Sequence, residues 1–404
     1  MATRRRMAAP LAAAAIVAGL SSLAAQPPQA QDAPSTKGVV RKHHVPISSD
    51  LVKISLPRPA EADLSNGLHL IVLEDRRLPQ ISFQLFIPGA GGYYDPDDKP
   101  GLAGITAALI REGTASRTSS EISQQLEVMA ASLAIGAGAA STEAAITGSC
   151  LTDQATKLID LAADVLLHPA FPDAELARYT QRTRATVAQQ RTNPSFLAAE
   201  MFSRAVYGRH PAAHVGPTVD ALDRVTRDDL VAFHRAHYLP DHAVLAIAGD
   251  VSMAQARFVV EQKLSPWKKQ GAAPGAVSDP APIAGAKILF VARPGSVQTN
   301  LIVGTQAIAH DSPDYDVLQV MNKIIGGGPT GRLFIHLREE KGYTYGASSA
   351  LNAPLYRGEW QAATSVRTDV TEPALRDLLG EIATLRDEPV SDEDLADAKR
   401  SMTA

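Results

Sequence analysis

Apolar and polar positions change period several times along the chain, and each change marks an element. Residues 68–73 are nearly continuously apolar after the turn signal Asn66-Gly67, and residues 81–87 alternate, so two strands are predicted side by side. Gly101-Leu102-Ala103 opens a helix that Arg111-Glu112-Gly113-Thr114 closes. A further strand is predicted at residues 243–248, ended by Gly249-Asp250, and two more at 287–291 and 299–304. Between these, residues 264–285 shift to Pro, Gly, Ala and Ser, the composition of an interdomain linker. A faint repeat relates Pro172-Asp173-Ala174-Glu175-Leu176-Ala177 to Ser391-Asp392-Glu393-Asp394-Leu395-Ala396, each opening a charged helix after an apolar one. The first copy runs on to the 243–248 strand, whereas the second has only a few helical turns before Ala404. Either the chain is a fragment or its second half lacks its last helices and strand. A fragment is the expectation, because an exposed sheet edge is a liability.

Residues 326–346 hold the densest signal. Gly326, Gly327 and Gly328 with Pro329 predict a flexible turn. Leu333, Phe334 and Leu337 then recur at helical spacing, Lys341 suits the last turn, and Gly342 can end the helix in a left-handed conformation. Tyr343-Thr344-Tyr345 restarts as a strand, which places both tyrosines on one face. The helix end and the strand can thus aim Arg338 and Tyr345 into one space. Arginine offers a fixed fork of donors for a carbonyl or carboxylate, and tyrosine a hydroxyl. From spacing alone, the plainer reading is a solvated arginine on a surface helix and a packed tyrosine.

Composition adds limits. The 404 residues suffice for two ordinary domains, and 45% hydrophobic with 20% charged residues is a soluble globular composition. The formal net charge of −4 gives no reason to expect nucleic acid or an anionic membrane as partner. A single cysteine, Cys150, rules out an internal disulfide and a zinc–thiolate cluster. The start is a different material: Arg4-Arg5-Arg6, an apolar run from Met7 to about Ala25, then Gln26-Pro27-Pro28. That is the pattern of a secretory signal peptide within residues 1–30, cut between Ala24 and Gln31, and residues 31–57 follow as a polar tail or linker. An organelle transit peptide is the competing reading, since no acid precedes Asp32, but the unbroken apolar run favours export to the periplasm or beyond. No later stretch is apolar for long enough to be a transmembrane anchor.

The 326–346 run, read as a Gly-rich turn, Arg-Leu-Phe, Leu-Arg-Glu, Gly and Tyr, strongly resembles the second-domain signature of the insulinase/pitrilysin-type metallopeptidases, which include the mitochondrial processing peptidases. Asn66-Gly67-Leu68, Pro88-Gly89-Ala90-Gly91-Gly92, Gln298 and residues 314–322 also match that pattern. The resemblance implies an α+β fold of two similar domains, each a mostly antiparallel sheet packed with helices, over residues 58–263 and, incompletely, 286–404. It implies that Arg338 and Tyr345 hold substrate over a zinc site. Active members carry H-x-x-E-H on the first-domain helix, two histidine ligands with the glutamate that activates water. Here the matching residues are Gly104, Ile105, Thr106, Ala107 and Ala108, and Ala185 or Thr186 falls where the third ligand, a glutamate, belongs. Methyl groups cannot replace imidazole and carboxylate in a zinc shell.

Other histidines offer no clear substitute. His210 and His214 are four apart with Pro211 between them, and His234, His237 and His242 cluster without nearby acids. The expectation is therefore a non-catalytic, substrate-binding subunit of an exported heterodimeric zinc peptidase acting on peptides. Its homologous partner would carry the zinc, and this chain none. The alternative is a proteolytically inactive binding or scaffold protein of the same fold; a third reading, an active peptidase with another metal set, would need ligands that the sequence does not group.

Overall fold

The computed structural model describes residues 57–271 and 273–403, so the predicted signal peptide and most of the polar tail lie outside the described residues. Strand alternation sets the first sheet. In β3 (Gln80–Pro88) Ile81, Phe83, Leu85 and Ile87 are buried while Gln80, Ser82 and Gln84 are exposed, so one pleat face meets the core and the other does not. With β1 (Ala60–Asp63), β2 (His69–Glu74), β4 (Ser132–Ala137), β5 (Glu143–Leu151) and β6 (Val244–Gly249) it forms a six-stranded sheet of order β1-β2-β6-β3-β5-β4. Only β2 and β6 run parallel. Leu68, Leu70, Val72, Ile105, Leu109 and Leu158 pack into the same core. Each such side chain contributes about 1.5–3 kcal/mol by leaving water.

The second sheet is β7 (Gln298–Gln306), β8 (Thr344–Asn352) and β9 (Glu359–Arg367), in the antiparallel order β7-β9-β8. It repeats the β3-β5-β4 arrangement in both chain order and pairing. Its core joins Ala347, Ala362, Ile325, Leu333, Leu337 and Leu378. The two halves are thus similar α+β units, as the resemblance implied.

One predicted strand does not form. Residues 287–291 carry no regular structure, and Ile288 and Phe290 are 92% and 83% exposed. Their counterpart β2 is held between β1 and β6, and among the described residues nothing supplies those partners to 287–291. A nearly continuous apolar run without a partner strand has no ladder for its backbone donors and acceptors, so the pattern alone cannot make a strand.

The predicted linker, residues 264–285, has no helix or strand after Leu264 but is well anchored. Trp267 is buried and donates from Nε1 to the Tyr238 carbonyl at 2.9 Å; Asp279 accepts from the Arg357 backbone N–H at 2.7 Å and pairs with its guanidinium at 3.2 Å. Tyr93 and His210 both bond Ser278. The segment is therefore seated on both halves.

Glu359, the first residue of β9, gives the fold a pH signature. Burial pushes its carboxyl up to about 7, although the Asn352 amide donates to both its oxygens at 3.1 and 3.2 Å. The folded protein holds this proton more tightly than the unfolded chain does, so the stability it contributes is present below the ordinary carboxylate range and is lost as pH rises through about 7. Thermal unfolding from pH 4.5 to 8 should show wild type losing stability relative to Glu359→Gln by roughly 1–3 kcal/mol, with the variant the more stable at pH 8. Parallel curves would show that the carboxyl does not titrate in that window.

Candidate functional site

The residues after the glycine turn fold as expected in outline and differ in detail. Arg332–Phe334 begin an α-helix that continues as a π-helix over Ile335–Glu340, and Gly342 follows with φ +62°. Arg338 lies on the π-helical turn. Its guanidinium stands 4.7 Å from the centre of the Phe334 ring and 3.3 Å from the Glu339 carboxylate. π-Helical turns are rare and concentrate at functional sites, because the extra residue per turn re-aims a side chain.

Tyr345 is placed by a second irregularity. A bulge shifts the β8–β9 register between Thr344 and Ala347. Strict alternation predicted Tyr343 and Tyr345 on one face. Instead Tyr343 packs on the second core and Tyr345 is 88% exposed, since the strand starts only at Thr344 and the bulge resets the facing. Thr344 braces the bulge: its hydroxyl oxygen accepts from the Gly346 N–H at 3.1 Å and lies 2.7 Å from the Ser365 carbonyl and 2.9 Å from that of Gly346, either of which can take its one proton.

The glycine turn is close-packed at its first two residues. Gly326 is the last residue of the helix Tyr315–Gly326 and is buried; a Cβ there would sit 2.4 Å from the Ser349 backbone nitrogen. At Gly327 it would meet the Lys323 Cα at 2.6 Å. Gly328, with φ +124° and only the Lys323 ammonium nearby at 3.9 Å, has the room that the expected flexibility requires.

Tyr345 opens onto a groove of ≈ 310 Å³ between the helix Pro194–Tyr207 of the first half and the second sheet. Ser195 and Ala198 form its helix wall and Asn300, Ile302 and Ser365 its floor; among the described residues no charged one lines it. Ser195 Oγ and Ser365 Oγ donate to Asn300 Oδ1 at 2.8 and 2.5 Å, tying the two halves at that point. Arg338 is not among the lining residues, so the groove gathers Tyr345 alone of the predicted pair. The groove residues carried a weak sequence signal: Asn193-Pro194 is a helix start, which Asn193 caps by accepting from the Ser195 N–H at 2.9 Å. Nothing local in the sequence announces that Asn300 faces Ser365, because strand register makes that pair.

The helix Leu102–Leu109 keeps the geometry of a ligand-bearing helix without the ligands. Gly104 and Ala108 are four apart and partly exposed, while Ala107 is fully buried. Ala185 is exposed on the helix Asp173–Gln190, beside Thr186, whose hydroxyl bonds back to the Arg182 carbonyl. Among the described residues, no three His, Cys, Asp or Glu side chains lie where they could hold a metal ion. These side chains do not fit the zinc that the resemblance implies for active members. The histidines serve packing. His234 Nε2 meets the Leu166 carbonyl at 2.8 Å and His237 Nδ1 the Gly89 carbonyl at 2.7 Å, and burial lowers the pKa of both. His210 is buried against Tyr207 and Tyr356 with Nε2 at 2.9 Å from the Ser278 carbonyl; His214 and His242 are exposed.

Comparison with known proteins agrees with this geometry. Residues 70–215 match the model for the insulinases of peptidase family M16, and residues 224–402 match that for the peptidase M16 inactive domain. Together the two matches span most of the chain, which belongs to peptidase family M16. It is 25% identical over 346 residues to an uncharacterised zinc protease of Rickettsia felis, covering 84% of this chain and 81% of that one. An uncharacterised zinc protease of Mycobacterium leprae is 27% identical over 269 residues; the match covers 65% of this chain and 59% of the relative. A crystal structure of a peptidase M16 inactive domain from Pseudomonas fluorescens superposes with a TM-score of 0.80 at 29% identity, over 86% of this chain and 84% of that one. A protease from Helicobacter pylori shares the fold at a TM-score of 0.79, with 16% identity over the same shares.

The packed glycine yields a direct expectation. Gly326→Ala should destabilise the protein by about 1–3 kcal/mol, because its methyl group must push the helix off β8. Gly346→Ala, with nothing within 4 Å of the new atom, should stay within about 0.5 kcal/mol of wild type. Denaturant midpoints for the two variants measure the difference, and equal losses would contradict the packing.

Proposed function

We propose that this chain is the non-catalytic, substrate-binding subunit of an exported heterodimeric zinc metallopeptidase that acts on peptides. One observation carries the reading: the helix that should bear H-x-x-E-H offers Gly104, Ala107 and Ala108, while Arg338 and Tyr345 both survive, each on an irregular stretch of backbone. The zinc would then belong to a homologous partner subunit. Arg338 would leave Glu339 to grip a substrate carbonyl or carboxylate, and Tyr345 would donate to the oxyanion that develops as the partner cleaves the peptide. The open space at Gly328 would let the 326–328 turn adjust to an extended peptide held as an added strand. Export rests on the basic and apolar start of the chain.

A binding or scaffold protein of the same fold is the second reading. The engagement of Arg338 with Phe334 and Glu339 favours it, since a side chain already paired has less need of substrate. Reconstitution separates the two. With the zinc-bearing partner and a peptide substrate, Arg338→Ala and Tyr345→Phe should each lower kcat/KM by about tenfold or more, with unfolding temperatures near wild type. Unchanged rates in both variants would leave the scaffold reading standing.

A further inference from the structure

We infer that the groove beside Tyr345 is a side-chain pocket for an uncharged residue of the bound peptide that can both donate and accept hydrogen bonds, a carboxamide before all others. The inference rests on the substrate-binding reading above and adds a specificity to it.

Hydrogen-bond accounting at the floor leads to this choice. Asn300 Oδ1 already accepts two hydroxyl protons, from Ser195 and Ser365. Its Nδ2 makes no hydrogen bond among the described residues, so it keeps two donors for an incoming group. Ser195 and Ser365 have each committed their proton to Asn300, which leaves their lone pairs as acceptors. Gln298, also in the lining, adds a carboxamide of its own, so the pocket offers amide donors beside hydroxyl and amide acceptors. A carboxamide matches both. A carboxylate would face the hydroxyl lone pairs unless the serines gave up their bonds to Asn300, and an ammonium would find no counter-charge, since among the described residues no charged one lines the groove. An aliphatic side chain would rest on Ala198 and Ile302 but leave the polar groups unmet.

The walls suit selection as well as contact. Ser195 and Ala198 come from the first half, Asn300, Ile302 and Ser365 from the second, so the pocket exists only while the helix Pro194–Tyr207 lies over the sheet. Tyr345 at the rim places a peptide that touches its hydroxyl next to this opening. A peptide held there as an added strand sends every second side chain to one face, so one residue per two could enter the pocket.

The test uses the full chain and labelled heptapeptides, identical except for one central residue that is Gln, Leu, Glu or Lys, with binding read by fluorescence anisotropy. Wild type should bind the Gln peptide about tenfold tighter than the Glu or Lys peptide. Asn300→Asp keeps an acceptor for both serine hydroxyls and removes the amide, so it should turn the preference toward Lys. Ala198→Phe fills the groove from the helix side and should erase the ranking among the peptides. A wild-type protein that binds all four alike, or an Asn300→Asp variant with the wild-type order, overturns the pocket while leaving the substrate-binding role intact. Failure of wild type to bind any of the four would sink that role and the pocket with it.

Discussion

Strand β9 is the constraint on which the second half depends. It alone in its sheet is paired along both edges, to β7 and to β8, and its alternation gives each face a separate task. Ala362, Thr364 and Val366 are buried, Ala362 in the second core, whereas Ala363 and Ser365 line the groove from the alternate positions. Because the pleat repeats every two residues, a slip of one residue would exchange these faces. Asn300 would lose Ser365, and the bulge that exposes Tyr345 would be measured from a different partner.

The backbone irregularities follow from that frame. A π-helical turn and a bulge each hold an extra residue that regular pairing would exclude, at a cost in hydrogen bonding. Surrounding contacts offset the cost here: Leu337 is buried within the π-helix, His336 pairs with Glu381 at 2.6 Å, and the Thr344 hydroxyl bonds backbone groups around the bulge. The packing of Gly326 against Ser349 fixes the helix before the turn to the strand after it. Only the middle, near Gly328, keeps free space.

Much of this was legible along the chain, and the exceptions share a cause. The 81–87 alternation, the helix start at Gly101, the Gly342 stop and the two-half repeat are local patterns, and local physics realises them. Residues 287–291 carry an apolar strand signal, a nearly continuous run like 68–73, and form no strand, because strand formation needs a neighbour that sequence pattern cannot supply. The facing of Tyr345 failed for a related reason: one inserted residue in a long-range pairing overrides the local alternation. The groove stayed hidden since its parts, Ser195, Asn300 and Ser365, come from distant segments that only register and packing bring together.

In the first half, the helix Leu102–Leu109 holds its place through one face only. Gly104 and Ala108 stand at partly exposed positions, whereas the core side of the same helix is Leu102, Ala103, Ile105, Ala107 and Leu109. Stability therefore places little restraint on positions 104 and 108, and more on the buried position 107. Tyr345, an aromatic side chain 88% in water, contributes little to burial, so packing does not account for it. Its place on a bulge braced by Thr344, at the mouth of a groove shared by both halves, is what the proposed binding role would use and what stability by itself does not explain.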